Sequence, residues 1–278
     1  MIQLAYTEPV FRPPSEAHSL ILQVTNGCSW NRCTFCEMYT LPEKKFAVKP
    51  IAELEAELAA VAGAGVPVRR VFLADGDAMT LSYRRLEEIM QAIRRHLPDI
   101  QRVSSYCLPR NLKNKTVDQL ATLRELGLEL FYVGCESGDD RVLECVRKGE
   151  TFESSLAALR KIKAAGARSS VMILNGMGGQ RYSEQHARNS ARLMNAAQPE
   201  YLATLVVSFP MGMERFKTGY DGEFEPLDQN GLFQEMLWLL ETLELENTIF
   251  RSDHASNYLV LKGVLNRDRE RLLQTVRQ

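Results

Sequence analysis

Short apolar runs alternate with stretches of helical period along most of the chain. Leu20-Ile21-Leu22-Gln23-Val24 is the first such run, with the length and content of a buried strand. After Pro50, the residues Ile51, Leu54, Leu58 and Val61 recur at helical spacing until Gly63-Ala64-Gly65 stops them. The same reading places further strands at 68–74, 101–108, 129–135, 169–174 and 201–207. Helices are expected between them at 82–97, 116–126, 140–147, 152–165 and 183–197. Repeated strand–helix units make a parallel sheet with helices outside, and right-handed crossovers curl it. Six units fall short of the eight that close a full barrel. The expected fold is α/β, a partial (βα)6 TIM-like barrel, with a core at 19–212. Residues 1–18 form an N-terminal extension. Its Phe11-Arg12-Pro13-Pro14-Ser15 cannot continue a helix or a central strand and is expected to lie across the outside of the fold. Residues 213–278 form a C-terminal cap, with a loop at 222–232, an apolar helix at 233–245 covering the barrel side, and a surface helix at 266–276.

In such architectures ligands sit at the C-terminal ends of the strands. Four chemically suggestive stretches fall there. The first is the loop holding Cys28, Cys33 and Cys36, spaced C-x4-C-x2-C. Three thiolates this close can converge on one metal centre. Structural zinc wants a closed set of four ligands, and no further Cys or His pair completes it. A cubane cluster also normally takes four cysteines, so three suggest a cluster with one iron left open to a substrate or cofactor. The other stretches are Asp75-Gly76-Asp77, Glu136-Ser137-Gly138 and Asn175-Gly176-Met177-Gly178-Gly179.

The cysteine loop, with aromatic Phe35 just before its last cysteine, resembles that of the radical SAM superfamily. The usual spacing there is C-x3-C-x2-C, so this loop carries one extra residue. The overall likeness is to the group containing Elp3, MiaB and oxygen-independent coproporphyrinogen oxidase. The resemblance implies a partial barrel and two cofactors, a [4Fe-4S] cluster on the three cysteines and S-adenosyl-L-methionine (SAM) on the open iron. It implies reductive cleavage of SAM to methionine and a 5′-deoxyadenosyl radical, which abstracts hydrogen from a substrate. An electron donor such as flavodoxin or ferredoxin comes with that chemistry. Asp75, Gly76 and Asp77 are similar to the Gly-Gly-Glu region that meets the methionine amino group; a polar turn capping the next helix is the alternative. Glu136 takes the place of a polar residue that accepts from the ribose hydroxyls, with Gly134 and Gly138 leaving room; a helix-cap role is the alternative. Lys148, at the distance of a basic residue paired with the SAM carboxylate, or adjacent Arg147, is otherwise a solvated helix end. Leu174 and the glycines after it are similar to the fifth-strand motif whose backbone flanks adenine, although Met172 replaces an acidic residue of the porphyrinogen branch.

Composition narrows the partners. A formal net charge of -1 does not mark a general nucleic-acid binder, so a small-molecule substrate is expected. No apolar run is long enough to span a bilayer, and six cysteines without a secretory leader suit a reducing cytoplasm. Cys107, Cys135 and Cys145 are scattered and read as buried small apolar residues, with a substrate-facing Cys135 as the alternative. Arg251, Asp253, His254 and Asn257 crowd between apolar runs, either to contact substrate or to tie the tail to the barrel. Two other functions remain open: a non-catalytic zinc or iron–sulfur scaffold, and a SAM- or haem-binding family member without turnover.

Overall fold

Each apolar run is realised as a strand, and Ser82, Thr116, Asp139 and Asp228 cap the helices that follow them. The computed structural model describes residues 4–221 and 223–278. The first three residues of the expected extension, and Gly222 in the expected loop, lie outside the described residues. Strands β1 (Leu20–Gln23), β2 (Arg70–Ala74), β3 (Arg102–Cys107), β4 (Leu128–Glu136), β5 (Arg168–Asn175), β6 (Tyr201–Val206), β7 (Thr248–Ser252) and β8 (Leu261–Leu265) follow chain order in one sheet. Parallel pairings join β1 to β2, β2 to β3, β5 to β6 and β6 to β7, and β8 returns antiparallel to β7. Between them run α1 (Ile51–Gly63), α2 (Tyr83–His96), α3 (Val117–Glu125), α4 (Asp140–Cys145), α5 (Phe152–Ala164), α6 (Gly179–Ala197), α7 (Glu214–Lys217), α8 (Gln229–Thr242) and α9 (Arg269–Arg277). This is an α/β fold of the partial (βα)6 TIM-like kind, as expected.

The chain divides into two compact units. The first comprises the residues up to Asn31, Met38–Tyr132 and Lys161–Arg168. Its core packs Leu22, Leu54, Leu58, Phe72, Leu86 and Ile89, each fully buried. Burying one such side chain contributes about 1.5–3 kcal/mol. Helix starts follow the sequence closely here. Ser82 caps α2 by accepting from Arg85 N–H, and Thr116 caps α3 in a reciprocal capping box with Gln119. The described residues of the N-terminal extension are mostly exposed or half-buried, but the chain turns inward at a few positions. Pro13, Glu16 and Ser19 are buried, and Glu16 accepts from Arg102 Nη2 at 2.7 Å and from the Tyr132 hydroxyl at 2.7 Å. Pro14 opens a short 3-10 turn, Pro14–Glu16, and that turn delivers the Glu16 carboxylate to strand residues.

The second unit comprises Arg32–Glu37, Val133–Arg160 and Ser169–Gln278. Helix α6 starts four residues earlier than its pattern implied, at Gly179, which has φ +56°. Helix α8 likewise starts early, capped by Asp228, and packs against α6 and α9. Strands β7 and β8 were not expected. The inward positions of β7 include Thr248 and Ser252, so polar residues hide its alternation. An apolar cluster of Val142, Cys145, Val146, Met177, Phe216, Tyr220 and Phe224 fills part of this unit.

Candidate functional site

Strand β2 ends in Ala74, and the turn after it turns its acidic side chains inward. Asp75 has no exposure, lies 2.5 Å from Lys44 Nζ through Oδ2, and accepts from the Tyr39 hydroxyl at 3.0 Å through Oδ1. Lys44 is equally buried and also donates to Thr7 O at 2.9 Å. Burial raises the Asp75 pKa above the ordinary carboxylate range, because the Lys44 and Tyr39 contacts offset the loss of water only in part. Asp77 is also fully buried and accepts from both the amide and the hydroxyl of Ser29, a residue of the cysteine loop. Its pKa is likewise raised by burial against the pull of Ser29, Asn111 and Arg110. A Cβ on Gly76 would run into the Tyr39 ring, so this glycine permits the close approach of that ring.

In the second unit β4 ends in Glu136, held in the left-handed region at φ +65°. Few residues other than glycine or asparagine adopt that conformation without strain, and such positions concentrate at binding sites. Glu136 Oε1 accepts from Lys148 Nζ at 3.1 Å, with both side chains almost wholly buried. Glu136 Oε2 is buried without a hydrogen-bond partner. Burial pulls the Lys148 ammonium down, but the Glu136 carboxylate, with the Cys33 sulfur beside it, more than offsets this. Its pKa therefore lies above the usual lysine range. Lys148 Nζ also sits 5.7 Å from the centre of the Phe35 ring. Phe35 and Leu174 both pack against the apolar cluster of this unit.

Three of the expected cofactor residues, Phe35, Glu136 and Lys148, are therefore neighbours. The flanking glycines have other reasons than the expected free room. A Cβ on Gly134 would meet the Glu136 carboxylate and Lys148 Nζ, and one on Gly138 would meet the Asn189 backbone of α6. The loop after Glu136 is pinned to α6. Gly138 N–H donates to Ser190 Oγ at 2.9 Å, Asp139 accepts from Gln185 and Asn189, and Ser137 Oγ lies 2.7 Å from His186 Nδ1. His186 Nε2 in turn lies 3.0 Å from Leu174 O. Sequence reading missed His186 because a lone histidine in a polar helix carries no signal. It missed Lys44 and Tyr39 because their partner is more than thirty residues away.

The segment carrying Cys33 and Cys36 is anchored through its backbone. Thr34 N–H donates to Val146 O at 3.0 Å, Cys36 N–H to Cys33 O at 3.4 Å, and Arg215 Nη1 donates to Cys36 O at 2.5 Å. Cys33 is buried, while Cys28 and Cys36 are half-buried. Among the described residues no three His, Cys, Asp or Glu side chains are already arranged as a metal site. Cys135 has no exposure, and burial pushes its thiol up to about 12, as suits a small apolar residue of the core.

The C-terminal group divides. Asn257 is fully engaged as a tie: Oδ1 accepts from Val206 N–H at 2.9 Å, and Nδ2 donates to Thr204 O and Ser252 Oγ, each at 2.9 Å. Asp253 pairs with Lys262 at 2.8 Å, His254 Nδ1 lies 2.9 Å from Ser256 Oγ, and Arg251 is exposed on β7. Elsewhere in this unit a cavity of about 500 Å³ is lined by Arg141, Arg181, Tyr182, Tyr220, Glu223 and Phe224, among others.

A sequence profile of the radical SAM superfamily matches residues 22–194, well over half the chain. The chain belongs to the radical SAM superfamily. Its cofactors are accordingly a [4Fe-4S] cluster and SAM, and it is a radical SAM enzyme by descent. The tRNA-2-methylthio-N(6)-dimethylallyladenosine synthase of Alteromonas mediterranea is 27% identical over 176 residues, covering 58% of this chain and 35% of that protein. The synthase of the same name from Hahella chejuensis is 28% identical over 163 residues, covering 54% and 34%. This radical SAM chain thus spans about a third of the length of the curated relatives it matches. Among solved structures, coproporphyrinogen III oxidase from Escherichia coli, a radical SAM enzyme, gives a TM-score of 0.59 at 17% identity, covering 80% of this chain and 50% of that one. Methylornithine synthase gives 0.53 at 17% identity, covering 91% and 76%. The radical SAM methyltransferase TsrM from Kitasatospora setae, with cobalamin and a [4Fe-4S] cluster bound, gives 0.55 at 20% identity, covering 68% and 36%. At these identities the likeness is one of fold. The residues present fit the superfamily's cofactors on two counts. Three thiols lie within a nine-residue loop, and the buried Glu136 Oε2 lacks the donor that a ribose hydroxyl supplies. No helix among the described residues is long and apolar enough to cross a membrane.

Proposed function

We propose that this radical SAM enzyme reductively cleaves SAM and abstracts hydrogen from a small-molecule substrate. The observation that carries the reading is Glu136, strained at the end of β4, paired on one oxygen by Lys148 and bare on the other. Cys28, Cys33 and Cys36 are the proposed cluster ligands, leaving one iron for SAM. Once bound, such a cluster would supply the electron for reductive cleavage of SAM. The protein's part is to bind, orient and exclude water. Glu136 Oε2 accepts from ribose, and Lys148 both orients that carboxylate and offers positive charge to the methionyl carboxylate. Phe35 covers the Lys148 ammonium, and the Leu174 backbone flanks adenine. In the turn after β2, the Asp75 side chain is already held by Lys44 and Tyr39 and that of Asp77 by Ser29. Asp77 Oδ1, buried without a hydrogen-bond partner, and the backbone carbonyls around Gly76 are the acceptors proposed for the methionyl ammonium.

Near-neutral charge and a cavity of about 500 Å³, within the ordinary range for small ligands, favour a metabolite over a large RNA. Arg251 on β7, and Asp253 and His254 in the loop after it, are candidate substrate contacts, and Asn257 positions that loop. A second reading has its own support: the curated relatives named above modify tRNA. An electron donor of the flavodoxin or ferredoxin type, and a cytoplasmic location where the cluster stays reduced, belong to the same proposal.

The test is anaerobic reconstitution followed by reduction with SAM. Release of 5′-deoxyadenosine is expected, and a fully loaded protein that releases none overturns the reading. Stoichiometric zinc without iron in oxygen-protected protein points instead to a scaffold. Adding bulk tRNA and analysing its nucleosides by mass spectrometry decides between the two substrate classes.

A further inference from the structure

The turn that ends β5 is held by a group from beyond the family-matched region, which stops at residue 194. Glu235 lies on α8, among the buried residues Leu232, Met236, Leu239 and Leu240, and its own side chain has no exposure. Oε1 accepts from Gly176 N–H at 2.6 Å and from Asn175 Nδ2 at 3.3 Å, and Oε2 accepts from the Ser183 hydroxyl at 2.6 Å. A carboxyl group is costly to bury unless its oxygens are hydrogen-bonded, and here three donors converge on it. Two of those donors belong to the turn itself, where Gly176 sits at φ +85°.

His186 extends the connection. The Leu174 carbonyl can only accept, so His186 Nε2 carries the hydrogen, and Nδ1 is hydrogen-bonded to the Ser137 hydroxyl. The same imidazole lies 3.9 Å from Glu235 Oε1. The loop after Glu136 and the backbone at Leu174 are thus joined through α6, and Glu235 fixes the Leu174 side of that joint.

We propose that Glu235 is a positioning residue for SAM, holding the Leu174–Gly176 backbone in the shape that receives adenine. The inference rests on the assignment of Leu174 to the adenine, made above. A residue serving only stability would alter melting without choosing between halves of the ligand. The experiment therefore compares binding of SAM, of 5′-deoxyadenosine and of methionine to wild type, E235L, E235Q and S183A. All four are reconstituted anaerobically, with iron content and melting temperature measured alongside. E235L is expected to weaken SAM and 5′-deoxyadenosine about ten- to hundred-fold while leaving methionine within about twofold. E235Q keeps an acceptor for Gly176 N–H and should recover most of the loss. A folded, iron-loaded E235L that binds SAM as wild type does, or that weakens methionine and 5′-deoxyadenosine equally, overturns the proposal. Should E235L fail to fold, S183A decides: about three- to ten-fold weaker 5′-deoxyadenosine binding is expected, and unchanged binding overturns it. Wild type that takes up iron yet binds no SAM overturns the parent reading, whereas SAM-binding wild type with indifferent variants removes only Glu235.

Discussion

Two acidic strand ends look alike in the sequence and differ in what their carboxylates are free to do. After β2, Asp75 is enclosed with Lys44 and Tyr39, and Asp77 accepts from Ser29. After β4, Glu136 shares one oxygen with Lys148 and leaves the other buried and bare. The first place uses most of its charge to shape a loop, although Asp77 Oδ1 is also buried without a hydrogen-bond partner; the second keeps Glu136 Oε2 as an acceptor beside a paired lysine. An acid at the C-terminal end of a barrel strand is therefore a ligand group only when its own fold leaves part of it unsatisfied.

The comparison can be broken most severely at Lys44. Removing one partner of a buried pair leaves a bare charge, so K44M should lose about 3–5 kcal/mol of stability in urea melts. K44M/D75N should recover much of that, and a K44M protein as stable as wild type would show that the enclosed pair is not what shapes the turn. The matching change at the other strand end should act on ligand instead. E136A should weaken SAM about tenfold while keeping its iron, measured by equilibrium dialysis. Equal effects of E136A and D75N on SAM binding would erase the distinction drawn here.

These partnerships explain what could be read in advance. Six strands and their helices were legible because Leu54, Leu58 and Val61, or Val71 and Leu73, repeat at spacings set by local geometry. The helix starts at Ser82 and Thr116 were legible too, and the structure shows both residues to be caps. Strand β7 was not, since Thr248 and Ser252 point inward, nor β8, where Gly263 interrupts Leu261–Leu265 and leaves space beside Asp268. The cysteine spacing, Glu136 and Lys148 were legible as chemistry, yet their mutual pairing was not, because it depends on the fold. Glu235 was hidden inside an apolar helix, where one acid reads as an exposed face.

Smaller effects sharpen the contrast further. Asn257 acts as a tie, so N257A should cost about 1–3 kcal/mol in urea melts with SAM affinity unchanged, since it strands the Val206 amide and the Thr204 carbonyl. A large loss of substrate turnover at unchanged stability would move Asn257 to the substrate instead. The smallest effect lies in the pH dependence of folding. The pKa of Asp75 is raised in the folded chain, chiefly by burial. The folded state then holds that proton more tightly than the unfolded one. Its contribution is full below the ordinary aspartate value and is lost as pH rises through the folded value. Relative to wild type, D75N should therefore gain stability as pH rises through that window. Urea melts across mildly acidic pH check the sign, and a relative loss for D75N would reverse the argument.

The carboxylate of Glu16 has a practical consequence for anyone trimming this protein. Its bonds to Arg102 and Tyr132 make the proline-rich leader a clasp on β3 and β4 rather than a removable tail. A shortened version that starts at β1 would leave a tyrosine hydroxyl and a guanidinium without their acceptor. Expression trials should begin upstream of Pro13, and failure of shorter versions would report a lost clasp before it reported anything about the cofactors.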